Sequence, residues 1–141
     1  MFRKDLRGIG RPSILLPVEA LPPVLRTHFL EPRGAAPLEG ADGRGSASNE
    51  ACGDRLELGL WMEGETLARA AFQARGCSSL IAAASLVCER LSGRSRADFA
   101  SVDPEAWLTE AGGLPPRGAH AGAVVRRAWQ AAVQDLPTRY P

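Results

Sequence analysis

The amino-acid sequence predicts an α+β fold, and two observations carry that expectation. A stretch in the middle of the chain alternates apolar and polar residues, turns, and returns as a second extended run. After it come two long segments whose apolar residues recur at helical spacing. With 141 residues, 45% of them hydrophobic, the chain suits one domain, large enough to bury roughly two thirds of its unfolded surface.

The elements follow in chain order. Residues 1–20 are basic at the start and broken by Gly8, Gly10, Pro12 and Pro17, so they read as an extension before a domain spanning residues 21–136, with a short tail over 137–141. Leu21 to Leu30 suits a short helix, because proline is tolerated in a first helical turn. Gly34 to Ser48 is glycine-rich and poor in apolar residues, and reads as a loop leading into a strand. From Asp54 to Met62, Leu56, Leu58, Leu60 and Met62 share one face, with Arg55, Glu57, Gly59 and Trp61 on the other. A turn at Glu63-Gly64-Glu65 and a strand from Leu67 to Arg75 complete a hairpin that delivers the chain to Gly76 and Cys77. Leu80, Ile81, Ala84, Val87, Cys88 and Leu91 then form a helical stripe that stops at Gly93. A short helix is expected over Arg96 to Phe99, and another after Asp103 with Pro104 in its first position, carrying Trp107 and Leu108. Gly112 to Gly118 is a loop. The helix that follows His120 carries Ala121, Val124, Val125, Ala128, Trp129 and Ala132 on its apolar stripe.

Charge and cysteine usage narrow the function. A formal charge of +1, from 17 basic and 16 acidic residues, leaves no electrostatic footprint for nucleic acid or an anionic membrane. No apolar run approaches the roughly 20 residues that cross a bilayer, and Ile14-Leu15-Leu16 is too short for a signal-peptide core, so a cytoplasmic protein is expected. Three cysteines argue against a closed disulfide framework and for reduced thiols.

Three distant segments then supply donors for a metal. Cys52 and Asp54 lie two positions apart, so an extended backbone sends both side chains to one face, and Gly53 between them permits an unusual backbone angle. Cys77 follows Gly76 at a helix start, where the helix dipole favours a thiolate. His120 precedes the last helix. Cys88 lies eleven residues along the helix from Cys77, about 16 Å at 1.5 Å per residue, and is expected to be a core residue. His28 is expected to be structural, and Trp107 and Trp129 to occupy helical core positions.

His28 to Arg33 (His-Phe-x-x-Pro-Arg), Cys52-Gly53-Asp54, Gly76 to Ser85 (Gly-Cys-Ser-Ser-Leu-Ile-Ala-Ala-Ala-Ser) and Leu114-Pro115-Pro116 before His120 occur in an order that resembles the IscU/NifU-type iron-sulfur cluster assembly scaffolds, over about Leu21 to Leu136. The resemblance implies a small antiparallel β-sheet flanked by helices, and a non-enzymatic site that builds a labile iron-sulfur cluster from iron and sulfur supplied by a cysteine desulfurase before passing it to apo iron-sulfur proteins or a carrier. Cys52, Asp54, Cys77 and His120 are the ligands it implies, and zinc suits the same mixed set. Where the family has His-Cys, this chain has His120-Ala121, so it lacks the thiol most associated with accepting sulfur. Where the family's chaperone-binding loop reads Leu-Pro-Pro-Val-Lys, the chain continues Arg117-Gly118, which leaves a chaperone partner open. A second reading is therefore a module that keeps the fold and docks a desulfurase or carrier without building clusters. A third, a hydrolytic zinc enzyme, ranks last because no spare His or Glu lies beside the four residues to act as general base.

Overall fold

The computed structural model describes residues 20–51 and 53–137. The expected extension, apart from Ala20, together with Cys52 and the tail after Pro137, lies outside the described residues. Within them a three-stranded antiparallel sheet in the order β1-β2-β3 is covered on one face by helices.

The hairpin forms as the alternation demands. Strand β2 (Asp54–Glu63) pairs with β3 (Thr66–Arg75) from Arg55 opposite Arg75 to Glu63 opposite Thr66, with an irregularity between Trp61 and Met62. Leu56, Leu58 and Leu60 are completely buried beneath the helices. Strand β1 (Gly43–Asn49) corrects the expectation of a loop, since it pairs with β2 along its whole length, Gly43 opposite Leu60 and Asn49 opposite Asp54. The glycines that suggested a loop are there for packing. A Cβ at Gly45 would run into the backbone of Ala128 and Ala132, and one at Gly43 would sit 2.7 Å from the carbonyl of Ala132. The last helix lies directly on this strand.

Helix α1 (Pro23–Leu30) starts at its prolines and buries Leu25 and His28 against α2 (Ser78–Leu91), which packs on β3. Gly93, at φ 93°, follows the end of α2, as its stop residue should. A 3₁₀ segment (Arg96–Ser101) and α3 (Pro104–Glu110), capped by the Asp103 carboxylate accepting from the Ala106 amide at 3.2 Å, lead to a 3₁₀ turn at Pro116–Gly118 and then to α4 (His120–Asp135). Helix α4 covers β1 and β2, with Val124, Val125, Ala128 and Ala132 inaccessible. Trp129 is core as expected, edge-on to Phe99 at 5.0 Å between centroids. Trp107 departs from the expectation: it is only partly buried, and the Arg94 guanidinium caps its ring at 4.7 Å. No helix among the described residues is long and apolar enough to cross a membrane.

Candidate metal centre

Three element starts converge at one end of the sheet. Asp54 opens β2, Cys77 caps α2 and His120 opens α4. Their ligand atoms all lie within 4.8 Å of one another, the grouping expected from the sequence. Cys52, the fourth expected member, lies outside the described residues.

Asp54 organises the group. Its carboxylate is 1% exposed and satisfied on several sides. Oδ1 accepts from the Cys77 amide at 3.2 Å, while Oδ2 accepts from the His120 Nε2 at 2.6 Å and from the Cys77 thiol at 3.5 Å. Gly76 permits this approach, because a Cβ there would lie 2.8 Å from the Asp54 Cγ. Its φ of 152° also favours glycine. Gly53 has φ 74°, the unusual angle anticipated between the two expected ligands. The Pro116–Gly118 turn leads into His120, and there Gly118 packs so closely on Ser79 at the start of α2 that a Cβ would overlap its hydroxyl.

The expected thiolate at Cys77 is not what this arrangement favours. Burial raises the thiol above its ordinary range and the neighbouring Asp54 charge adds to the rise, outweighing the Leu80 and Ser79 amides at the helix start that act in the opposite sense. The helix-start effect is present but loses to desolvation and a carboxylate. Without a cation, the site holds a protonated thiol and an imidazole N–H on one carboxylate oxygen. That donor set of oxygen, sulfur and nitrogen suits zinc or ferrous iron, for which protons must leave as metal enters.

The other candidates fall where expected. Cys88 is 2% exposed on the core side of α2, and desolvation pushes its thiol up to about 12. His28 is structural: its Nδ1 lies 2.7 Å from the Ser85 hydroxyl and its Nε2 3.1 Å from Glu89. Ser85 also accepts from the Arg33 amide at 2.7 Å, so it ties α1, the loop after it and α2 together. Its place at the end of the Gly76–Ser85 motif gave no sign of that role. Ala121 is fully buried within the core.

A small antiparallel sheet with helices on one face, bringing a thiol, a carboxylate and an imidazole together at its end, defines an α+β domain with a donor set that could hold a metal. The family model described as the NifU-like N terminal domain matches residues 23–140, and the chain belongs to that family. It is 34% identical over 113 residues to the nitrogen fixation protein NifU of Azotobacter chroococcum, matching 79% of this chain and 37% of that protein, so it spans little more than a third of that relative. It is 29% identical over 108 residues to the iron-sulfur cluster assembly scaffold protein IscU 1 of Archaeoglobus fulgidus, matching 77% of this chain and 71% of the other. A proposed scaffold protein of the SUF system from Fervidobacterium islandicum superposes with a TM-score of 0.67 and 14% identity, over 82% of this chain and 97% of that one, which supports the fold alone.

Proposed function

We propose that residues 21–136 form an iron-sulfur cluster assembly scaffold whose cargo, iron or a labile iron-sulfur cluster, is held by Cys52, Asp54, Cys77 and His120. The observation that carries this reading is the convergence of Asp54, Cys77 and His120 within 4.8 Å around a buried carboxylate. The names of relatives such as the iron-sulfur cluster assembly scaffold protein IscU 1 of Archaeoglobus fulgidus point to the same cargo. The protein is a scaffold rather than a catalyst: it receives sulfur from a cysteine desulfurase and hands the cluster to apo iron-sulfur proteins or a carrier, in the cytoplasm. Zinc is an alternative occupant of the same donors.

Metal analysis of single alanine variants tests the ligand set. Wild-type protein should hold about one divalent ion, the number one tetrahedral site accepts, and Cys52→Ala, Asp54→Ala and Cys77→Ala should each lose it. Full retention by both cysteine variants means the site is elsewhere.

A second reading, a module that binds a desulfurase or carrier and zinc without building clusters, is favoured by Ala121, which places a buried methyl group where the family has a thiol. Anaerobic reconstitution with iron, cysteine and a desulfurase, followed by visible absorption, separates the two. A stable cluster on the natural protein, with no gain in yield or lifetime from Ala121→Cys, supports the scaffold and removes the ground for the second reading. No cluster on the natural protein, and a cluster on Ala121→Cys, supports the second.

A further inference from the structure

The outer face of the sheet, opposite the helices, carries a feature the metal site does not use. Arg55 and Arg75 are direct cross-strand partners on β2 and β3. Both are exposed, and neither has a hydrogen-bond or ion-pair partner among the described residues. Like charges directly opposite one another weaken a strand pair, and most alternatives at these positions would relieve that. The other arginines of this face are engaged: Arg44 lies 3.8 Å from Glu57, and Arg69 stacks 3.7 Å over the Trp61 ring. Nearer the turn between β2 and β3 the face is closed by the segment after α1, with Leu38 and Ala41 lying over Gly59. What stays open is a depression of about 300 Å³ lined by Arg55, Glu57, Gln73, Ala74 and Arg75.

Its position along the strands links it to the site. Arg55 directly follows Asp54, and Arg75 is separated from Cys77 by Gly76 alone. A group seated between the two guanidiniums is therefore held by residues one and two positions along the chain from Asp54 and Cys77, on the sheet face away from the covering helices. Glu57 in the same lining disfavours a doubly charged phosphate more than a single carboxylate, which two guanidiniums hold in bidentate fashion.

We propose that the Arg55–Arg75 pair is the docking point for an acidic segment of the protein that brings sulfur to the site, a carboxylate side chain of that donor seating between the two guanidiniums. This rests on the scaffold reading above, since it takes the sulfur donor to be the partner. Two exposed positive charges beside the site also favour encounter with an acidic partner, an effect that salt screens.

The experiment measures binding of the cysteine desulfurase encoded in the same genome to the full chain, at low and moderate salt. It compares wild type, Arg55→Gln/Arg75→Gln, and a control, Arg90→Gln/Arg126→Gln, which removes the same charge from the helical side. Binding by Arg55→Gln/Arg75→Gln should be about tenfold weaker and less salt-dependent, with the control within about twofold of wild type. Zinc content should match wild type in both variants, and the melting temperature of Arg55→Gln/Arg75→Gln should equal or slightly exceed that of wild type, because the pair lies on the opposite sheet face from the core and its like-charge contact is relieved. Unchanged affinity in Arg55→Gln/Arg75→Gln overturns the proposal, as does an equal loss in the control, which would reduce the effect to net charge. So does a change confined to self-association or to competition by inorganic phosphate at fixed ionic strength. Failure of the scaffold reading looks different: the natural protein then assembles no cluster on anaerobic reconstitution, whatever the two double variants do to desulfurase binding.

Discussion

His28 shows how one buried side chain can be read as a pH-dependent strut. The Ser85 hydroxyl accepts from the Arg33 amide and can give its own proton to His28 Nδ1, which leaves Nε2–H to donate to Glu89. The neutral ring is thus fully satisfied. Desolvation lowers its pKa below 6.5, assisted by the Arg33 and Arg90 charges and opposed by Glu89. The unfolded chain then binds the proton more readily than the folded one, so the strut's contribution is complete above pH 6.5 and is lost as pH falls through the lowered folded value. Urea titrations at pH 8 and pH 5.5 should show a larger loss of stability for wild type than for His28→Gln; equal losses would assign the pH dependence to other groups. Thiols make a second test at this scale. Cys88, pushed up to about 12 and 2% exposed, should label far more slowly than Cys77 in the folded, metal-free protein. Equal rates would contradict its place in the core. The inertness of Cys88 was legible because helical spacing sets which face a residue occupies. The raised thiol of Cys77 was not, because it depends on a carboxylate from another strand and on burial that only the folded chain creates.

At the level of elements, alternation and helical stripes identified β2, β3, α2 and α4, since those patterns record which side of each element meets the core. They failed for β1. Its inward positions Gly43 and Gly45 carry no side chain and the third, Ala47, only a methyl group, so the strand leaves little apolar trace, and glycine ordinarily argues for a turn. The missing information was the closeness of α4, which only the tertiary arrangement supplies. Gly45→Ala tests this account. Alanine has the better strand propensity and would stabilise an ordinary exposed strand, yet here its methyl must push into the backbone of Ala128 and Ala132. We expect a loss of about 1–3 kcal/mol, in the range of core overpacking, measured by denaturant unfolding. A neutral or stabilising result would mean that α4 does not rest on β1 as described. The corresponding change at Gly53, where no atom lies within 4 Å of the added Cβ, lacks that clash and should cost only the strain of φ 74°.

Over the whole molecule, the site joins parts of the chain that are far apart in sequence: Asp54 from the sheet, Cys77 from α2 and His120 from α4. These residues were recognisable before the fold from their spacing and glycine neighbours and from the motifs that resemble the scaffold family, but nothing in the sequence showed that Asp54 would be the member to which the other two bond. That arrangement makes a prediction about stability rather than occupancy. A ligand that binds only the folded chain stabilises it by about 2.7 kcal/mol when its free concentration is a hundredfold above its Kd. Zinc should therefore raise the melting temperature of the wild-type protein by several degrees, the shift expected for that free energy in a domain of this size. Removing the carboxylate should act twice. Asp54→Ala leaves the Cys77 amide and the His120 ring without their partner in a largely buried position, so the metal-free protein should lose about 1–3 kcal/mol. It should also lose most of the zinc response, since the three elements no longer share a common ligand. Asp54→Asn separates the two effects: its amide oxygen can still accept a hydrogen bond from the Cys77 amide or the imidazole, so metal-free stability should fall less than for alanine, while the zinc response is lost with the charge. If Asp54→Ala melts like wild type without zinc and keeps the full zinc shift, the carboxylate is neither the organiser of this end of the fold nor a ligand, and the metal is held by other residues.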